Sequence, residues 1–261
     1  MVLWRKKSGT LDTPGNFQII NKDFIVMHSS KKNSSLKLPF NFDSSRLQQD
    51  LEACLALNWK QHFNQNDFSG DWTGIALRSS SGNETDIFSH PGSVFKDTPL
   101  LDACPYFREI FSGFECEKET IRLLRLAPGS IIKQHRDRGA GYQFGVFRIH
   151  IVVRTHENVS FVVDGCALPM KNGECWYADF DCPHSVINHS QEDRIHLIMD
   201  CIRNEWSDEL FAKAGYDFKQ ENLPVDEATH LRMIGELERM NTEASRKLRD
   251  DLIKKRNESA V

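Results

Sequence analysis

The stretch from Thr120 to Cys201 predicts a mainly β fold, an antiparallel sandwich or jelly roll. Three observations predict it. Short apolar, β-branched runs succeed one another at close spacing, tight-turn signals separate them, and no helical periodicity falls between them. With 261 residues, 39% hydrophobic and 27% charged, the chain can bury a sizeable core beneath a polar exterior.

Taken in order, Phe17 to Met27 reads as a strand, followed by a polar loop through Ser35. Between Asp43 and Leu57, Leu47, Leu51, Cys54 and Leu55 recur at helical spacing, and Asp43-Ser44-Ser45 offers N-caps. Trp72 to Arg78 alternates as a strand does. Ser79 to Thr98, rich in Ser, Gly and Pro, reads as a long loop of the kind that shapes a pocket. Pro99 to Phe111 predicts a helix ending at Gly113.

The strand series follows. Ile121 to Leu126 leads through the turn Ala127-Pro128-Gly129 to Ser130–Asp137. Val146 to Arg154 is strongly β-branched, and Val159 to Val163 ends at the hairpin pair Asp164-Gly165. Asn172-Gly173 marks another turn before Cys175 to Ala178, and Arg194 to Cys201 closes the series. Beyond Trp206 the pattern changes. Leu231, Ile234, Leu237, Met240, Ala244, Leu248 and Leu252 trace one face of a long helix. The predicted organisation is a β domain over residues 1–205, with its N-terminal strand and helix, and a helical extension over 206–261. The extension's apolar face suits packing on the barrel, with a homodimer contact and a partner-recognition tail as the alternatives.

Composition excludes several classes. A net charge of -4 gives no electrostatic case for nucleic acid. No apolar stretch approaches the roughly 18 residues that span a bilayer. Met1 to Lys7 turns polar before a signal-peptide core can form, so a cytoplasmic protein is expected. Seven cysteines at irregular spacing, without CxxC, argue against a disulfide framework or structural zinc site and for buried small apolar residues. No GxSxG elbow, Walker loop or GxGxxG is present.

What remains is a metal-ligand pattern. His135 and Asp137, one residue apart on a predicted strand, point to one side of it. His184, after the conformationally fixed Pro183, adds a second imidazole. Two imidazoles and a carboxylate on one face, with positions left open, is the ligand set of non-haem Fe(II) oxygenases. Arg194, ten residues after His184, shares a strand face with His196 and can grip the far carboxylate of a diacid co-substrate. Arg148 and His150 repeat that spacing inside the β-branched run, where either a co-substrate carboxylate or a buried ion pair with an internal acid would account for the charge. Arg122 and Arg78 lie on predicted strands and are candidates for a substrate carboxylate, or for a salt-bridged face. His28, His62, His90, His156 and His189 have no partner pattern.

The ordered set Trp72–Arg78, Arg122–Ser130, His135-Arg136-Asp137, Arg148-Ile149-His150, Gly173–Asp179, Pro183–Asn188 and Arg194–Asp200 resembles the aspartyl/asparaginyl β-hydroxylase family of Fe(II)- and 2-oxoglutarate-dependent dioxygenases. The likeness runs over roughly residues 70–205 and is closest to compact members that act on free amino acids. It implies a double-stranded β-helix, cupin-like, with flanking helices. It also implies His135, Asp137 and His184 as iron ligands, Arg194 on the distal carboxylate of 2-oxoglutarate, and Arg148 and His150 lining the co-substrate site. In one compact member an arginine near the position of Arg122 holds the substrate carboxylate. Leu124 stands where the vertebrate endoplasmic-reticulum members of that family have a serine near the 2-oxoglutarate carboxylate.

The implied reaction is an O2-dependent hydroxylation of an unactivated carbon in an amino acid or derivative, with succinate and CO2 formed. A carboxylate at position 137 disfavours halogenation, which needs that coordination position for halide. A hydroxylase of a protein or carrier-bound residue, and a module that binds metal and 2-oxoglutarate without turnover, are the alternatives.

Overall fold

The computed structural model describes residues 33–90 and 92–221, together with thirteen helical positions between 231 and 254. In chain order the elements are β1 (Ser35–Asn41), α1 (Ser44–Leu55), β2 (Lys60–Gln61), β3 (Phe68–Ser69), β4 (Trp72–Ser79), β5 (Lys96–Asp97), α2 (Pro99–Asp102) and α3 (Pro105–Ser112). There follow β6 (Lys118–Leu126), β7 (Ile131–His135), β8 (Val146–Arg154), β9 (Val159–Val163), β10 (Cys166–Ala167), β11 (Glu174–Ala178), β12 (His184–Asn188), β13 (Arg194–Ile202) and α4 (Glu205–Lys213).

The strands form two antiparallel sheets. The larger runs β1-β11-β8-β13-β6-β4-β2, with β5 against β4, and the smaller runs β10-β9-β12-β7-β3. From β6 to β13 the chain passes back and forth between them, so that β11-β8-β13-β6 faces β10-β9-β12-β7. That is the jelly roll the strand pattern predicts. Alternation then sorts the side chains. On β6, Leu124 and Leu126 point between the sheets, while Ile121 and Leu123 join the layer beneath the helices. The turns are built as the sequence indicates: Asp164 and Gly165 both take positive φ, at 49° and 78°.

The helices cover the outer face of the large sheet. Asp43 caps α1 by accepting from the Ser45 and Arg46 amides, and Leu47, Leu51 and Cys54 face inward. Buried Asp50 accepts from the Phe107 amide at 2.7 Å and ties α1 to α3. Leu210 and Phe211 of α4, with Tyr216, join the same core as Tyr142 and Tyr177, so residues past 205 contribute to packing of the β domain. All seven cysteines are free, and six are buried. No helix among the described residues is long and apolar enough to cross a membrane.

Four expectations are corrected. The helix over Pro99–Phe111 is two helices, broken where Cys104 leaves the helical region, at φ -122°, ψ 71°, ahead of Pro105. The strand over Ser130–Asp137 stops at His135. The polar loop gives way to strand β1 at Ser35, and His184–Asn188 is a strand that the element reading passes over. Helix α4, at Glu205–Lys213, lies at the start of the expected 206–261 extension. The predicted strand Phe17–Met27 lies outside the described residues. Of the long helix, Leu231, Ile234 and Leu237 are helical, whereas Met240, Ala244, Leu248 and Leu252 lie outside them.

Candidate metal centre

The small sheet brings the two histidines together. His135 ends β7, His184 opens β12, and the two are direct cross-strand partners. Same-face partners of this kind stand within contact distance, and the ring centroids lie 4.2 Å apart. Each ring is aimed by its own backbone. His135 Nδ1 lies 2.8 Å from the Lys133 carbonyl and His184 Nδ1 3.0 Å from the Cys182 carbonyl. A carbonyl only accepts, so each Nδ1 carries the proton and each Nε2 presents a lone pair.

Asp137 arrives from beyond the strand. Its amide donates to the Phe180 carbonyl at 2.9 Å, which bends the chain back over the histidines. Asp137 Oδ1 then sits 3.7 Å from His135 Nε2, and one ligand atom from each of the three residues lies within 4.8 Å of the other two. Period-two alternation expects this pairing, but a hydrogen bond to the β11–β12 connection makes it. Burial pulls the His184 imidazole down to about 4, which keeps it in the neutral form that ligates. Two nitrogen lone pairs and one carboxylate oxygen, converging on a common point, fit a divalent transition-metal ion.

Behind Asp137 stands a chain of charge. Arg148 Nη1 reaches Asp137 Oδ2 at 3.2 Å, and Arg148 Nε donates to Asp200 Oδ1 at 2.6 Å. Asp200 Oδ2 also meets Arg122 Nη2 at 2.9 Å and accepts from Thr120 Oγ1 at 2.6 Å. Burial alone would raise the Asp200 carboxyl. Arg122 and Arg148 outweigh it and hold the group well below the ordinary carboxylate range. For Arg148 the buried ion pair with an internal acid is therefore present. Asp200 was missed in the sequence, although its alternation with Arg194 and His196 on β13 carries the signal.

Arg194 is different. It is 2% exposed and, among the described residues, meets no acid; its Nη2 hydrogen-bonds His196 Nδ1 at 2.9 Å, and its Nε has no partner among them. Burial draws its pKa down to about 9, so it stays cationic at neutral pH. A narrow cavity of about 50 Å³ reaches Arg194, His135, Asp137, His184, Arg148 and His150 together. Trp72, Leu124, Ile132, Phe161, Phe180, Val186 and Ile198 supply its apolar wall. Arg122 is buried at its Asp200 contact. Arg78 is brought elsewhere: a bulge between Ala76 and Arg78 turns it towards Asp97, at 2.6 Å, and the face of Phe111.

Residues 41–204 match the family model described as aspartyl/asparaginyl beta-hydroxylase. The chain belongs to the aspartyl/asparaginyl β-hydroxylase family. Among curated relatives of this β-hydroxylase-family chain is the L-proline cis-4-hydroxylase of Rhizobium meliloti (strain 1021). It is 28% identical over 163 residues, which are 61% of this chain and 57% of that protein. The L-proline cis-3-hydroxylase 1 of a Streptomyces species is 25% identical over 192 residues, 70% of this chain and 65% of its own. The family member described here thus spans less than two thirds of either relative's length. A solved 2OG-Fe(II) oxygenase family oxidoreductase from Burkholderia pseudomallei shares 16% identity at a TM-score of 0.46, over 66% of this chain and 86% of that one.

Proposed function

We propose that this chain is an Fe(II)- and 2-oxoglutarate-dependent dioxygenase that hydroxylates an unactivated carbon of a small amino-acid-like substrate. The observation that supports it most is the convergence of His135, Asp137 and His184, with ligand atoms within 4.8 Å, in a cavity that also reaches an arginine without a counter-ion among the described residues.

In this reading His135 and His184 hold iron through Nε2 and Asp137 through a carboxylate oxygen. With 2-oxoglutarate and O2, the bound ion supplies the oxidising power for C–H hydroxylation, and the co-substrate leaves as succinate and CO2. Arg194 receives the distal carboxylate, for which its planar fork is suited and which supplies the acid it lacks. His196 accepts from Arg194 and fixes the fork's direction. Arg148 and His150 line the co-substrate side of the cavity. Phe161, Phe180 and Ile198 keep bulk water from the reacting carbon.

Two relatives bear L-proline in their names, and a small zwitterion of that kind is the substrate class proposed here. Arg122 offers its carboxylate a guanidinium whose charge is shared with Asp200.

The test is succinate release across a panel of free amino acids with Fe(II) and 2-oxoglutarate. Release is expected with a proline-like member in the wild type and is expected to vanish in His135→Ala and His184→Ala. Full release in either variant overturns the proposal.

A further inference from the structure

At the metal end of the barrel a further recess, of about 170 Å³, lies behind Arg148. Arg148 and Asp200 form one wall, and Arg138, the residue after Asp137, forms another. Glu119 of β6 and Ser89 of the β4–β5 connection close it. Arg148 also lines the metal cavity, so a single side chain divides the two spaces.

Period-two alternation would send Glu119 outward with Ile121 and Leu123, into the layer beneath the helices. A bulge prevents it. Met199 pairs with Ile121 and Cys201 with Lys118, so Asp200 alone stands opposite both Thr120 and Glu119. Such irregularities re-aim a side chain, and Glu119 is brought to the recess that Asp200 also lines. The Gly92 amide donates to its carboxylate and ties it to the β4–β5 connection.

The charges at this end then leave one group over. Asp137 meets Arg148, and Asp200 meets both Arg122 and Arg148. Glu119 is half-buried, and no cation among the described residues offsets it; the exposed Arg138 makes no ion pair with it. Burial and the neighbouring Asp200 push its carboxyl above the ordinary value. A half-buried carboxylate beside a second acid is costly until a cation meets it.

We propose that Glu119 receives the ammonium group of the substrate in this recess and so selects a free amino acid over one acylated at its nitrogen. The inference rests on the reading of the substrate as a small zwitterion and supplies the partner for its positive end. Of the acids lining the two spaces, Asp137 and Asp200 are each met by arginine, which leaves Glu119 to accept from the cation. A hydrogen bond from an ammonium to a carboxylate is roughly twice as strong as one between neutral groups. An acylated proline nitrogen has neither the charge nor the hydrogen to make it.

The probes are L-proline and (S)-tetrahydrofuran-2-carboxylate, which keeps the ring and the carboxylate but has an oxygen in place of the ammonium. Each is titrated calorimetrically into the full chain loaded with Ni(II) and 2-oxoglutarate. The wild type is expected to bind L-proline about tenfold more tightly or better. Glu119→Gln keeps an acceptor for the Gly92 amide and removes the charge. It is expected to weaken L-proline binding about tenfold or more and to leave the oxygen analogue unchanged, with the melting temperature recorded for both proteins. Should the variant unfold, the wild type's preference between the two probes decides. Equal affinity of the wild type for both probes overturns the proposal. Undiminished L-proline binding in folded Glu119→Gln overturns it alone and leaves the substrate class standing, whereas a wild type that binds neither probe overturns it together with that class.

Discussion

Asp200 is the residue on which the charges beside the metal centre balance. It faces Arg122 at 2.9 Å and Arg148 at 2.6 Å, and Arg148 passes on to Asp137 Oδ2 at 3.2 Å. Two guanidiniums and two carboxylates form a neutral row, and the contact to Oδ2 leaves Asp137 Oδ1 on the histidine side. Partners of this outer kind fix a ligand's orientation, and their loss typically costs about 10–100-fold in metal affinity. Asp200→Asn removes one charge and leaves two buried cations to share Asp137. The variant is expected to lose about 3–5 kcal/mol of stability, the usual effect of breaking a buried pair. Where it remains folded, its affinity for Co(II) should fall about 10–100-fold, read from the visible absorption of the bound ion. Thr120→Val, which deletes the hydroxyl that donates to Asp200 and accepts from Arg122 but leaves every charge in place, should have a smaller effect in the same direction. Wild-type Co(II) affinity in Asp200→Asn would mean that Arg148 is not what holds Asp137 in place.

At the scale of elements, the turns set where each strand delivers its side chains, and Gly173 is among the tightly constrained ones. It has φ +84°, and a Cβ there would lie 2.5 Å from the Phe42 carbonyl oxygen. The Phe42 amide donates to the Gly173 carbonyl at 2.8 Å, so the contact cannot open without loosening the start of β11. Gly173→Ala is expected to cost about 1–3 kcal/mol in urea unfolding, and an unchanged midpoint would show that the turn yields freely. This turn was legible as Asn172-Gly173, and Val146–Arg154 and Val159–Val163 were legible to the residue because β-branched runs between turn pairs have no competing helical reading. Strand β1 was not. Pro39 in its middle argues against a strand, yet β1 is the sheet's edge, where a missing N–H can be tolerated, and its pairing is irregular between Lys37 and Asn41. His184–Asn188 hid behind Cys182-Pro183, which reads as a loop. In the candidate site, ligand spacing pointed to His135, Asp137 and His184, which the structure brings within 4.8 Å of one another. For Arg78, read as a candidate for a substrate carboxylate or for a salt-bridged face, a bulge that no periodicity reveals turns the side chain to Asp97.

The whole molecule folds around imidazoles that it keeps neutral, and this sets how it responds to acid. His62 stacks on Trp72 with ring centroids 3.5 Å apart and on Phe63 at 4.3 Å, extending the cavity wall outward. Burial, with Arg122 and Arg148 nearby, pulls its pKa from 6.5 down to about 3. His150 and His196 are driven well below 6.5 by burial and by Arg194. A group depressed in the folded state is protonated first in the unfolded chain. Its stabilising effect is therefore complete above the unfolded value, near 6.5, and drains away as pH falls towards the folded one. Each such histidine contributes a slope of up to about 1.4 kcal/mol per pH unit across that window. Unfolding free energy is accordingly expected to fall steadily between pH 6.5 and pH 4. His62→Phe keeps a ring between Trp72 and Phe63 but cannot take the proton. Urea unfolding at a series of pH values should then show a shallower acid decline, by up to about 1.4 kcal/mol per pH unit, with stability near pH 7 little changed. An acid slope identical to the wild type's would mean that His62 takes up its proton in the folded protein without penalty.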